Sequence, residues 1–375
     1  MTESKTICSR CIMDSSVPHI SFDADGVCNY CTEYLAQCGH ILNDVDGRKD
    51  AKLADLVAKV KKAGAGKPYD CIVGVSGGVD SSWVLVRAIE LGLRPLAVHM
   101  DNGWNSELAQ HNIASLVQRL GVDLHTHVID WHEYRKLMQS FFDADVLDVE
   151  LLYDNAAVAV NYREAAKYGI RYILAGTNSS TEGMRMPTGW NWNKFDKKNI
   201  RAIAKRFANI RLSTFPAIGT IDFFRFRFVN GIRWTSILDL MPYNKAEVLR
   251  KLQDEYGYKP YPYKHYESIF TRFYQGYILP NKFGVDKRKL HLGTLVASGQ
   301  MDRAAALADL EKIPYPSLAQ LNEDRQYFLK KMGWGEADLT AYIARPEIAH
   351  TAYPSEQPLW DFCANVLRRL RKAFA

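Results

Sequence analysis

An α/β architecture, built on a doubly wound parallel sheet with a small metal-binding module ahead of it and a helical region behind, is what this 375-residue sequence predicts. Three observations predict it. An apolar run, Cys71 to Val75, breaks at Ser76-Gly77-Gly78 and passes into a helical stretch ending at Leu91, so strand, glycine turn and helix N-terminus follow in one piece. Short apolar runs then alternate with amphipathic stretches as far as residue 175, the pattern of parallel strands joined by crossover helices. Ahead of both stand four cysteines spaced C-x2-C-x16-C-x2-C.

Composition bounds the classes. A hydrophobic content of 47% and a charged content of 24% are those of an ordinary globular chain. No stretch has the roughly 18 uninterrupted apolar residues of a membrane span, and Met-Thr-Glu-Ser-Lys lacks the apolar stretch of a signal peptide, so the cytoplasm is the expected compartment. A net charge of +6 suits an anionic substrate and does not by itself demand nucleic acid. Seven cysteines, four of them at metal spacing, fit a reducing compartment better than a disulfide framework.

Residues 1–44 form the first expected unit. Two knuckles place the thiolates of Cys8, Cys11, Cys28 and Cys31 around one Zn²⁺, while Pro18, Asp23, Asp25 and Gly26 between them suit turns. Four thiolates leave no open coordination position, so the zinc is expected to be structural, standing in for a core this zinc ribbon is too small to build. Cys38 is out of register with either pair. Leu53, Leu56, Val57 and Val60 then recur at helical spacing over 50–62, and Gly64 to Pro68 reads as a linker.

The second unit, 45–178, is the nucleotide-binding core. Strands are expected near 71–75, 94–100, 122–129 and 171–175, and helices near 81–91, 106–120, 131–143 and 151–168. Ligands of such sheets bind at the carboxyl ends of the strands. After the first strand, the backbone N–H groups of Ser76 to Ser82 converge at a helix N-terminus, which wants a phosphate. Gly64-Ala65-Gly66-Lys67 is followed by Pro68 and precedes the strand, so it is no Walker loop. The second strand ends in His99-Met100-Asp101-Asn102-Gly103-Trp104 and the fourth in Leu174-Ala175-Gly176-Thr177-Asn178; either alone could be a mere turn.

Residues 179–300, rich in aromatics and cations, read as a substrate and lid region. Eight Lys or Arg and one acid, Asp196, lie between Arg185 and Arg211, and Glu267, Arg272, Lys282, Asp286, Lys287, Arg288 and His291 crowd into about one helix and one loop. A solvated basic face is the plain alternative. The last unit, 301–375, is expected to be helical at 303–310, 321–332 and 359–374, with Trp360, Cys363, Leu367, Leu370 and Phe374 forming an apolar stripe for core or subunit packing.

Ser76-Gly-Gly-Val-Asp-Ser-Ser82 closely resembles the pyrophosphate loop of the N-type ATP pyrophosphatases, the PP-loop superfamily with its adenine nucleotide alpha-hydrolase-like fold, which cleave ATP to AMP and pyrophosphate. The resemblance makes Ser76, Gly77, Gly78, Val79, Asp80, Ser81 and Ser82 the ATP-phosphate site, with Mg²⁺ on Asp80, and places Met100, Asp101, Gly176, Thr177 and Asn178 on the adenine and ribose side. Adding Ala175 to Gly183, Tyr266 to Pro280, Lys282 to Lys289, His291 and Ser298-Gly-Gln-Met, nearly the whole chain resembles the bacterial N-acetyl sugar amidotransferases of O-antigen and related glycan biosynthesis. Gly293 departs from that pattern, where a serine is expected. The resemblance implies conversion of a nucleotide sugar's acetamido group to an acetamidino group. It implies ammonia from a glutaminase partner and a companion ammonia-channelling subunit, without membrane or nucleic acid, and leaves a homodimer open.

Arg185, Arg272, Lys282, Asp286, Lys287 and Arg288 are then the expected substrate contacts, and Glu182, Glu267 or His291 the proton carrier, a choice the sequence leaves open. No cysteine suits a glutaminase in this chain: four are expected on metal, Cys71 lies in a strand, Cys363 is on an apolar stripe, Cys38 lacks a nucleophile turn, and residue 2 is Thr. A tRNA-thiolating enzyme is the alternative, weakened because only Cys38, Cys71 and Cys363 remain to carry sulfur. A non-enzymatic binding module would leave the 76–82 loop unexplained.

Overall fold

The computed structural model describes residues 5–261 and 266–373. Five parallel strands, β1 (Cys71–Gly74), β2 (Pro95–Asp101), β3 (Leu124–Val128), β4 (Tyr172–Ala175) and β5 (Arg233–Ser236), form one sheet in the order β3-β2-β1-β4-β5. The chain builds outward from β1 through β2 to β3, then crosses back to add β4 and β5 on the other side. The order therefore reverses between β1 and β4, and a crevice opens at their carboxyl ends. Four strands fall where the apolar runs predict them. The fifth does not, because Arg233 to Ser236 is a short edge strand with Arg233 and Trp234 exposed and no apolar run to reveal it.

Sixteen α-helices accompany the sheet among the described residues. The first six are α1 (Asn29–Leu42), α2 (Lys49–Gly64), α3 (Val79–Glu90), α4 (Glu107–Leu120), α5 (Trp131–Asp143) and α6 (Leu151–Lys167). After β4 come α7 (Ser179–Glu182), α8 (Lys197–Phe207), α9 (Thr220–Phe224), α10 (Lys245–Tyr256), α11 (Ile269–Phe273) and α12 (Arg288–Ala297). The last four are α13 (Arg303–Glu311), α14 (Leu318–Met332), α15 (Glu336–Ala344) and α16 (Gln357–Ala373). Local chemistry sets several boundaries: Ser106 caps α4, accepting from the Ala109 N–H, and Gly121 ends it in the left-handed region at φ 62°. Two π-helical stretches, 225–229 and 274–283, break the 3.6-residue period that sequence reading relies on. Phe374, the last member of the expected stripe, lies outside the described residues.

Two cores cover the two faces, and the strands serve them alternately as a period of two requires. Ile72, Leu96, Val98 and Ile173 face one, with α5, α6, α8, α14 and the cysteine module. Cys71, Val73, Ala97, Tyr172 and Leu174 face the other, with α2, α3, α4 and α10. The N-terminal module thus shares its buried residues with the first core. Tyr34 of α1 donates to the Ser179 carbonyl at 2.9 Å, and Arg303 donates to the carbonyls of Cys11 (2.8 Å) and Cys8 (2.7 Å).

Candidate active site

The loop after β1 is shaped by close approach. Gly77 sits at φ +86°, and a Cβ there would also meet the Ala109 carbonyl oxygen at 2.9 Å. Gly78 is extended, so its need is space: a Cβ would lie 2.3 Å from Glu267 Oε1. A Cβ on Gly176 would lie 2.8 Å from the Ser81 nitrogen, so the backbone leaving β4 rests directly on the first turn of α3. Inside the loop, Ser81 Oγ accepts from the Ser76 N–H and Ser76 Oγ from the Gly78 N–H, both at 3.3 Å. The two hydroxyls are 3.3 Å apart. Asp80 stands in the first turn of α3, Val79 and Ser82 are buried beside it, and the helix dipole adds positive potential where the loop N–H groups gather.

Glu267 reaches this loop through backbone pairing. The Ser106 N–H donates to the Glu267 carbonyl (2.8 Å) and the Ile269 N–H to the Trp104 carbonyl (2.9 Å), which stitches the start of the C-terminal region to the segment leaving β2. Three tyrosines that the sequence reading passed over complete the loop. Tyr243 donates to the Asp80 carboxylate, while Tyr258 and Tyr261 donate to the Gly77 carbonyl at 2.9 and 3.2 Å. Burial pushes all three phenols above their usual range, and Asp80 and Glu182 push Tyr243 further, so they stay protonated donors. The signal for Tyr258 and Tyr261 was the aromatic run Tyr256-Gly-Tyr-Lys-Pro-Tyr261; Tyr243 stands apart from it, after Met241-Pro242.

The other strand ends are held from within. Asp101 Oδ1 accepts from the Gly103 N–H (2.8 Å) and from Asn105 Nδ2 (3.2 Å), next to buried Met100. Asn105 Nδ2 also lies 2.9 Å from His99 Nε2, whose Nδ1 is 2.8 Å from the Val75 carbonyl; burial lowers the pKa of this imidazole, which fits a neutral ring donating through Nδ1. Thr177 Oγ1 meets Ser236 Oγ at 2.9 Å, and Asn178 caps α7 at the Thr181 N–H. Asp239 fixes Ser179 through its N–H (2.6 Å) and hydroxyl (3.1 Å), steadying the turn that carries Glu182. α12, with His291, packs on α7.

The cations expected to contact substrate are each paired with a carboxylate of the chain. Lys287 is buried on Glu150 at 2.6 Å, with Gln275 donating to the same carboxylate. Arg185 pairs with Glu33 (2.7 Å) over the Tyr30 ring, Arg272 with Asp324, Lys282 with Asp145 (2.9 Å) and Arg288 with Asp286 (2.8 Å). Arg288 also donates to the carbonyls of Asp309 and Lys312. A Cβ at Gly293 would meet Met13 and Met184 at ordinary contact distances, in a seam between α12 and the N-terminal module. Sequence reading also missed Lys194, bound to Asp148 (2.7 Å) and Asp154 (2.9 Å) beside the start of α6.

The sulfurs of Cys8, Cys11, Cys28 and Cys31 all lie within 4.8 Å of one another, the one such cluster among the described residues. The N–H groups of Cys28 and Met13 point at Cys8 Sγ (3.2 Å) and Cys11 Sγ (3.4 Å), which suits thiolates. An all-sulfur closed set fits Zn²⁺ in a structural role. For Mg²⁺ the fitting ligand is the Asp80 carboxylate, an oxygen donor at the phosphate loop.

Residues 51–206 match the family model for NAD synthase, and residues 267–367 match that for the C-terminal domain of LPS biosynthesis protein WbpG-like proteins. No curated protein matches the chain. Among solved structures, NMN synthetase from Francisella tularensis is 14% identical, with 58% of this chain and 99% of that one covered, at a TM-score of 0.29. NH3-dependent NAD synthetase from Campylobacter jejuni is 16% identical over 58% and 99%, at 0.28. A predicted tRNA methyltransferase subunit from Methanocaldococcus jannaschii is 17% identical over 49% and 74%, at 0.29. Scores this low bear on neither fold nor function. The two family matches carry the assignment: an NAD synthase-like PP-loop domain and a WbpG-like domain make this an ATP-utilising enzyme related to LPS biosynthesis.

Proposed function

From the premise that one chain joins a PP-loop domain to a WbpG-like C-terminal domain, we propose that it is an ATP-dependent amidotransferase acting on the acetamido group of a nucleotide-linked N-acetyl sugar. One observation carries the reading: Glu267, at the start of the WbpG-like match, lies against Gly78 of the phosphate loop, so the two matched regions share one site. An amide carbonyl is a weak electrophile without a leaving group. Its oxygen attacks the ATP α-phosphorus, the bond to the β-phosphate oxygen breaks, and pyrophosphate leaves. Ammonia then adds to the imidate carbon, a proton is lost, and AMP departs with the former amide oxygen, leaving the amidine.

The loop N–H groups and the Ser76 and Ser81 hydroxyls bind the β,γ-phosphates, and the first turn of α3 stabilises charge as pyrophosphate forms. Mg²⁺ held by Asp80 would supply charge neutralisation. Glu267, Glu182 or His291 would take the proton from the adding ammonia, Glu267 being the one that lies against the loop at Gly78. Ammonia is expected from a glutaminase subunit with a channelling companion. Burial pushes the Cys38 and Cys71 thiols up, away from the thiolate that glutamine hydrolysis needs.

The test is to supply the purified chain with ATP, ammonium and a panel of UDP-linked N-acetyl sugars. AMP and pyrophosphate formed only with an accepted sugar, and no glutamate from glutamine, are expected. ADP and phosphate as products, or robust glutamine hydrolysis abolished by Cys38→Ser, would reject the assignment.

A further inference from the structure

A second concave surface is built by residues of α6, α8, α9 and the 225–229 stretch. An open cleft of about 240 Å³ is lined by Arg163, Lys197, Arg201 and Arg225, with one carboxylate, Asp222, and the ring of Phe226. Lys197 pairs with Asp222, and Arg163 donates to the Ala217 carbonyl at 3.2 Å. Among the described residues neither Arg201 nor Arg225 has a partner, and both are exposed. The cleft therefore holds an excess of positive charge that the protein does not itself neutralise.

Exposed apolar side chains lie on the segment that supplies part of its lining. The segment 220–229 projects Ile221 (72% exposed), Phe228 (58%) and Val229 (80%). α16 lies against the same segment, Trp360 packing on Phe223 (5.5 Å) and on Phe195 (4.9 Å). That contact leaves Leu359, Phe362, Val366 and Leu370, at spacings of three, four and four, turned to solvent beside Arg368 and Arg369. The neighbouring acids are already engaged: Glu356 accepts from the backbone of Lys198 and Thr220, and Asp361 from Gln357. A second copy of the chain would meet this face with the same cations, a repulsive pairing.

Cations around exposed aromatic and aliphatic side chains suit a surface that offers phosphates above hydrocarbon. We propose that this face binds an anionic lipid bilayer peripherally, the cleft taking a lipid phosphate while Phe228, Val229 and the exposed stripe of α16 enter the interface. No described helix is long and apolar enough to cross a membrane, so the contact is one of surface.

Co-sedimentation of the full chain with vesicles tests this. Binding to phosphatidylglycerol-containing vesicles, none to pure phosphatidylcholine, and release at high salt are expected. Arg201→Glu with Arg225→Glu, and separately Phe228→Ser with Val229→Ser, should each weaken binding more than about tenfold while Tm is kept, since all four side chains are exposed. Failure to sediment, or unchanged binding by both variants, would overturn the proposal. So would protection of the cleft by glycerol phosphate without vesicle binding, which would make it a free-anion site. Concentration-dependent dimerisation lost on Phe228→Ser, without vesicle binding, would instead make it a self-association face.

Discussion

Asp80 is held by a phenol where a metal is expected, and that shared oxygen gives a measurable consequence. Asp80→Ala should lower AMP release by orders of magnitude. Tyr243→Phe, which removes the competing donor, should reach half-maximal rate at a lower Mg²⁺ concentration, read from a Mg²⁺ titration of pyrophosphate release. Arg272 makes the opposite case. It and Asp324 are nearly buried, so Arg272→Ala should cost about 3–5 kcal/mol of stability by stranding a carboxylate, seen in denaturant unfolding and not as a change in sugar KM. His350 is a pH sensor of stability. Its Nδ1 meets Asn199 Oδ1 (2.8 Å), its Nε2 lies 3.3 Å from the Asp148 nitrogen, and burial lowers its pKa to about 4. The folded ring binds its proton less readily than the unfolded one, near 6.5, so stability is full above about pH 6.5 and falls as pH drops toward 4, by on the order of 3 kcal/mol. His350→Gln should flatten that part of a Tm-against-pH curve. At this scale the sequence displayed charge but not partnership: Arg272 and Asp324 are 52 residues apart, and nothing local says they meet.

Among the elements, β1 and its loop were legible because their information is local. A buried run, two glycines and a helix start lie within a dozen residues, and the left-handed turn at Gly77 is what such a window suggests, whereas the space that Gly78 leaves for Glu267 is not. β5 was not legible, since an edge strand needs no apolar run, and the π-helical 274–283 hid the period that would have revealed its buried face. The N-terminal module was legible as four ligands and illegible as a neighbour: α1 props the 179–183 turn through Tyr34, and a Cβ at Gly183 would meet the Tyr34 ring at 2.7 Å. Cys28→Ser should therefore do more than lose about one Zn²⁺ per chain by metal analysis. The turn bearing Glu182 should loosen with it, and hydrogen exchange at 179–183 should quicken; zinc loss with unchanged exchange there would separate the two elements.

Taken whole, the molecule places the phosphate loop where strand order reverses, so both halves of the sheet and the start of the WbpG-like region converge on one crevice. The alternation of strand and helix sufficed to foresee that sheet. It could not foresee that residue 267 would return to residue 78, because such closure is written in long-range packing. The same holds for the ends of the chain: Lys289 grips Asp14 at 2.7 Å, and Arg303 holds the Cys8 and Cys11 carbonyls across 295 and 292 positions of sequence. Proteins are made from the N-terminus at ~5–20 residues per second, so the first module waits on the order of 15–60 s after its own synthesis for the residues it docks against. During that interval it has its four thiolates but not its seat. A chain released short of residue 303 would keep the seats at Ser179 and Lys289 but lack the clamp on the Cys8 and Cys11 carbonyls, so its cysteine knuckles would be the loosest part of the head.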